Sequence, residues 1–119
     1  MLGRHMRALL ADQDAPHVQA LIVTPKGVSL EVITSKAQCI DLMRPHPYDM
    51  LIACERLVDG SGLELLSHVS ERWPQTRRVF AAEPKRLALL RGRLKPFGLF
   101  RTLAYPIDPV QLRLLLHAG

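Results

Sequence analysis

Short apolar runs alternate with helix-like stretches from one end of this 119-residue chain to the other, and no other feature constrains its fold as tightly. Arg7 to Ala11 reads as a buried strand that runs into the polar turn Asp12-Gln13-Asp14. Ala15 to Val23 follows, with Val18, Leu21 and Ile22 at helical spacing, Pro16 in its first turn, and Pro25 and Gly27 to stop it. Val28 to Val32 alternates apolar and polar, as a strand with one face on a core does. Ser35 caps a helix to Met43, with Ala37, Ile40 and Met43 along one face and Cys39 as a small packing residue; Pro45 and Pro47 close it.

Asp49 to Cys54 is a near-continuous apolar run, expected of a central strand covered on both faces. Ser61 and Glu64 then form a capping box, in which each side chain satisfies a free backbone N–H of the other residue. The helix they open carries Leu63, Leu66, Val69 and Trp73 as its stripe and ends at Pro74. Arg78 to Ala82 is a fourth strand. Pro84 opens a helix with Leu87, Leu90 and Leu94 inward and Arg86, Arg91 and Arg93 outward. Phe100 to Ala104 is a fifth strand, and Asp108-Pro109 caps a leucine-rich last helix to Leu116.

Five strands alternating with five helices imply parallel strands joined by right-handed crossovers, a three-layer α/β sandwich. Ligands in such sheets sit beyond the carboxyl ends of the strands, so those ends are where function is sought. At 119 residues, with 48% hydrophobic and 23% charged side chains, one globular domain over 1–119 is expected. No apolar run approaches the roughly 18 residues of a membrane span, and the residues around Met1 to Met6 do not form a signal peptide. Cys39 and Cys54 are too few for a disulfide framework and lack zinc-site spacing. A reducing, cytoplasmic setting is the expectation, with no metal and no cofactor.

Charge is distributed unevenly. Residues 1–74 hold seven Lys/Arg against nine Asp/Glu, whereas residues 75–119 hold nine against only Glu83 and Asp108. That asymmetry suits either an acidic or phosphate-bearing partner or a solvated basic face.

The stretch from Tyr48 to Leu66, with Asp59-Gly60 inside it, resembles the third strand, phospho-acceptor loop and third helix of response-regulator receiver domains. Leu9 to Asp14 resembles the family's acidic pocket, and Arg101 to Pro109 its fifth strand and Lys-Pro turn. The resemblance implies a flavodoxin-like receiver fold, with a five-stranded parallel sheet in the order 2-1-3-4-5 and a cis peptide bond before Pro106. It also implies a site in which an aspartate takes a phosphoryl group from phosphohistidine. Mg²⁺, a lysine and a hydroxyl would neutralise the phosphoryl oxygens.

This chain departs from that site at nearly every chemical position. Cys54 stands at the acceptor, Tyr105 at the lysine, and Ala81 (or Ala82) at the hydroxyl. Asp12 keeps one acid of the pair, while Gln13 or Asp14 stands for the second, Gln13 being the better match. Glu55 is acidic but is expected to point elsewhere, and Pro106 is retained. Cys54 has a redox or phosphoryl-accepting reading, but reactivity needs nearby positive charge, and Asp12 supplies the opposite. An inert packing thiol is therefore expected, with Tyr105 sealing the pocket. His17, His46, His68 and His117 are read as surface residues and Trp73 as core.

The resulting expectation is a degenerate receiver, not an enzyme. It acts as a phosphorylation-independent interaction or dimerisation module in bacterial two-component-type signalling. Its family-implied partner face spans the fourth helix, fifth strand and fifth helix, with Lys85, Arg86, Arg91, Arg93, Lys95, Arg101 and Arg113; Gly92 leaves room for a partner's backbone. The alternatives are a regulator phosphorylated at an atypical site and a basic nucleic-acid-binding module. The second lacks aromatic stacking residues and a helix-turn-helix pattern.

Overall fold

The computed structural model describes residues 5–19, 22 and 24–118. Its main sheet has five parallel strands: β1 (Met6–Ala11), β2 (Val28–Ile33), β3 (Met50–Cys54), β6 (Arg77–Ala82) and β7 (Arg101–Ala104). Their order is β2-β1-β3-β6-β7. Two further strands of two residues each, β4 (Arg56–Leu57) and β5 (Gly60–Ser61), pair antiparallel in a small hairpin just past β3. With that hairpin set aside, the sheet has the expected 2-1-3-4-5 order.

Helices cover both faces. The side chains of β3 alternate, so Met50, Ile52 and Cys54 face one core cluster while Leu51 and Ala53 face the other. On the first face the sheet packs against Val18 of α1 (Ala15–Gln19) and against Leu112, Leu115 and Leu116 of α5 (Pro109–Ala118). On the second it packs against Cys39 and Met43 of α2 (Lys36–Met43) and Leu65, Leu66 and Val69 of α3 (Gly62–Arg72). All five residues of β3 are buried, as its unbroken apolar run requires.

The caps read from sequence are in place. The Ser35 hydroxyl accepts from the Gln38 N–H at 3.1 Å. In α3 the Ser61 hydroxyl accepts from Glu64 N at 3.1 Å while the Glu64 carboxylate accepts from Ser61 N at 2.8 Å, a complete capping box. Gly62 opens α3 pressed against the end of β3, where a Cβ would collide with the carbonyl oxygen of Cys54. That close approach sets the helix directly behind the strand end. The Tyr105–Pro106 peptide bond is cis.

Several expectations need correction. The inward face of α2 is Cys39 and Met43, four residues apart, and Ala37 is exposed. The helix opened by Pro84 ends at Leu90; α4 (Pro84–Leu90) gives way to 3-10 turns over Arg91–Arg93 and Lys95–Phe97. Leu87, Leu90 and Leu94 still lean on the core but are only half-buried. Around Gly92 there is open space and no close neighbour. His68 is not a surface residue: its ring meets Trp73 edge-on at 6.1 Å, and its Nε2 is buried without a hydrogen-bond partner. His46 and His117 are exposed, and Trp73 packs partly against the core as expected. The expected continuation of the first helix at 20, 21 and 23, including Leu21, lies outside the described residues, as does the side chain of His17.

Candidate functional site

Parallel pairing brings the carboxyl ends of four strands to one edge of the sheet. Cys54 and Ala81 are register partners on neighbouring strands. Asp12 extends β1, whose Ala11 pairs with Ala53, and Tyr105 extends β7, whose Ala104 pairs with Ala82. These ends surround a cleft of about 80 Å³ lined by Asp12, Gln13, Cys54, Ala81, Ala82 and Tyr105. The sequence had named all of these lining residues for the pocket, and the fold brings them together.

Inside the cleft Asp12 accepts two hydrogen bonds. The Tyr105 hydroxyl donates to Asp12 Oδ2 at 2.9 Å, and Asp12 Oδ1 accepts from the Asp14 N–H at 3.1 Å. Asp12 is 2% exposed, so these bonds take the place of water on a buried carboxylate. Burial, followed by the hydrogen bond to Asp12 and that carboxylate's negative charge, pushes the Tyr105 hydroxyl well above the ordinary tyrosine range. It stays a neutral donor. Gln13 lines the cleft and Asp14 does not; the Asp14 backbone serves the turn into α1, its carbonyl accepting from Val18 N.

Cys54 is buried at 2% exposure. Burial, and then the Asp12 carboxylate beside it, pushes its thiol far above the ordinary cysteine range. A thiol held protonated in this way is a poor nucleophile, and Cys54 packs into the core cluster on its face of the sheet. Cys39 behaves alike, with burial pushing it up to about 12.

Glu55 overturns an expectation. It does not point elsewhere but lines the cleft and reaches across its mouth to Arg86 of α4, with Arg86 Nε and Nη2 each 2.6 Å from Glu55 Oε2. The pair raises the guanidinium's pKa, through the hydrogen bond first and the carboxylate's charge second. The signal for it lay in the sequence: Glu55 directly follows β3, and Arg86 sits in the first turn of a helix that directly follows the neighbouring strand. Arg86 is thereby engaged inside the molecule. Arg56 and Glu83 also line the cleft and had not been anticipated. Among the described residues no three His, Cys, Asp or Glu side chains converge as a metal site would need.

Of the other expected partner-face residues, Lys85, Arg91, Arg93, Lys95, Arg101 and Arg113 are exposed. Arg101 also lies over the Phe100 ring, 4.9 Å from its centroid.

This sheet order, with the cleft at the ends of its first, third, fourth and fifth long strands, is the fold of response-regulator receiver domains. Comparison with known proteins gives the same fold. The chain is 31% identical over 114 residues to the response regulator protein PilR of Pseudomonas aeruginosa, a match covering 92% of this chain. The chain spans about a quarter of that curated relative's length, 25%. Among solved structures, the signal receiver domain of an HD domain-containing protein from Pseudomonas fluorescens Pf-5 superposes with a TM-score of 0.83. It is 23% identical, over 99% of this chain and 88% of the other. The receiver domain of AraT, a response regulator from Geobacillus stearothermophilus, gives a TM-score of 0.77 at 18% identity, over 96% and 92% of the two chains. No family model matches the sequence.

Proposed function

We propose that this chain is a phosphorylation-independent pseudo-receiver, a protein-interaction module of bacterial two-component-type signalling that works in the cytoplasm without catalysis, metal or cofactor. The observation that carries this reading is the Tyr105 hydroxyl bonded to Asp12 beside a buried, protonated Cys54. Where a receiver needs a carboxylate nucleophile, a lysine and a hydroxyl, this cleft offers a neutral thiol, a neutral phenol and the methyl of Ala81. An incoming phosphoryl dianion would meet the Asp12 carboxylate, while Arg86 is already held by Glu55. Like charge in a half-closed cleft opposes its entry.

Without a chemical input, the work left to such a fold is to present a surface. The basic face of α4, β7 and α5 is the surface proposed, with Lys85, Arg91, Arg93, Lys95, Arg101 and Arg113 available to a partner. No described helix is long and apolar enough to cross a membrane.

Incubation with acetyl phosphate or a phosphorylated histidine kinase in Mg²⁺, read by intact mass and peptide mapping, tests the proposal. No phosphate-sized mass increment is expected, and none for Cys54→Asp alone, because Tyr105 and Ala81 still leave the oxygens unneutralised. A phosphate mapped to any residue of the cleft in the parent chain would overturn the reading.

A further inference from the structure

The basic face is not flat. α4 and the 3-10 turns that follow it stand beside β7, the edge strand of the sheet, and a cleft of about 750 Å³ runs between them. Leu87, Leu94 and Leu99 line it; they are half-buried and rest on the core cluster beneath. Arg91, Lys95 and Arg101 also line it, all three exposed, and none forms an ion pair with a described residue. No carboxylate lines the groove. Its size falls within the roughly 300–1,000 Å³ of ordinary ligand clefts.

We propose that this groove docks an acidic, leucine-bearing segment of a separate protein, and not a second copy of this chain. The proposal rests on reading the chain as an interaction module. A floor of leucines exposed in a groove gains most from apolar side chains that fill it and exclude water. A rim of two arginines and a lysine selects carboxylates, which the planar guanidinium binds through paired hydrogen bonds. A second copy brings the wrong charge. Residues 83–118 carry seven Lys/Arg against Glu83 and Asp108, and a two-fold interface would set that basic patch against its own twin. Nucleic acid would satisfy the cations but leave the leucines unmatched, and no aromatic ring lines the groove for bases to stack on.

Fluorescence anisotropy of a labelled glutamate–leucine peptide, titrated with the intact chain at low salt, tests the assignment. Controls are the same peptide with serine for leucine, polyglutamate of equal length, and oligothymidylate. Saturable binding of the glutamate–leucine peptide is expected, with each control about tenfold weaker or worse. Arg91→Glu with Arg101→Glu should weaken binding about tenfold, as should Leu94→Ser, with Leu94→Ala as the milder variant if serine unfolds the chain. Lys26→Glu, in the exposed turn before β2 and outside the groove, should change little. Three results would overturn the proposal: no binding, polyglutamate or oligothymidylate bound as tightly as the glutamate–leucine peptide, or sedimentation showing a dimer that Arg91→Glu with Arg101→Glu dissociates. Phosphoryl uptake by the parent chain would defeat the pseudo-receiver reading while leaving these binding data intact, so the two failures are distinguishable.

Discussion

Cys54 and Cys39 share one environment, since each sulfur sits in the core where a thiolate has no solvent to stabilise it. That has a consequence for stability. Both folded-state pKa values are raised, so the unfolded chain gives up its thiol protons first, from about pH 8.5 upward. The stability the thiols contribute is fully present below that pH and is lost as pH rises toward about 12, the value for Cys39. Urea unfolding followed between about pH 8 and pH 10.5 should show stability falling, by at most about 1.4 kcal/mol per pH unit for each thiol. The Cys39→Ala, Cys54→Ala variant should be less stable at neutral pH, through lost packing, yet fall less steeply in alkali. An unchanged slope would mean that neither thiol is held protonated by the fold. Tyr105 belongs to the same logic: one neutral donor on Asp12 stands where a cation would otherwise balance that carboxylate.

Among the elements, the weak join is the segment after α4, and Arg78 holds it. Its guanidinium donates to the carbonyls of Phe97 at 3.0 Å, Pro74 at 3.0 Å, Thr76 at 2.9 Å and Gly98 at 3.3 Å. Four acceptors from two loops converge on one side chain. Arg78→Met should cost about 2–3 kcal/mol, read from the urea midpoint, and should speed amide exchange at Lys95, Phe97 and Gly98 while leaving α2 unaffected; protection unchanged at those three residues would show that the loop holds itself. The elements also show how far sequence reasoning carries. The capping box of α3 and the apolar run of β3 were legible because each rests on local chemistry. The end of α4 was misjudged because leucine spacing continues to Leu94, while Gly92 and the residue before Pro96 resist helix. The β4–β5 hairpin has two residues per strand and no period to detect. The Glu55–Arg86 pair joins the end of β3 to the first turn of α4, a contact that the expected neighbouring of the third and fourth strands made legible but that was not drawn from it.

Over the whole molecule, the fold and the pocket's chemistry part company. The strand order, the hairpin after β3 and the close approach of Gly62 to Cys54 maintain a receiver's frame, and none of them depends on the identity of the side chains in the cleft. Cys54, Ala81 and Tyr105 bring no charge to the cleft, and the Tyr105 hydroxyl bonds to Asp12. The groove cations Arg91, Lys95 and Arg101, meanwhile, lie outside the strand-end cleft, whose own cations are Arg56 in its lining and Arg86 at its mouth. On the reading proposed above, the cleft is closed to phosphoryl-like ligands although the fold around it is intact. Amide NMR spectra of the chain titrated with Mg²⁺ and beryllofluoride, a mimic of an acyl phosphate, test this most directly. The account predicts no saturable shifts at 12–13, 54–56, 81–83 or 105; saturable shifts clustered at those residues would contradict it.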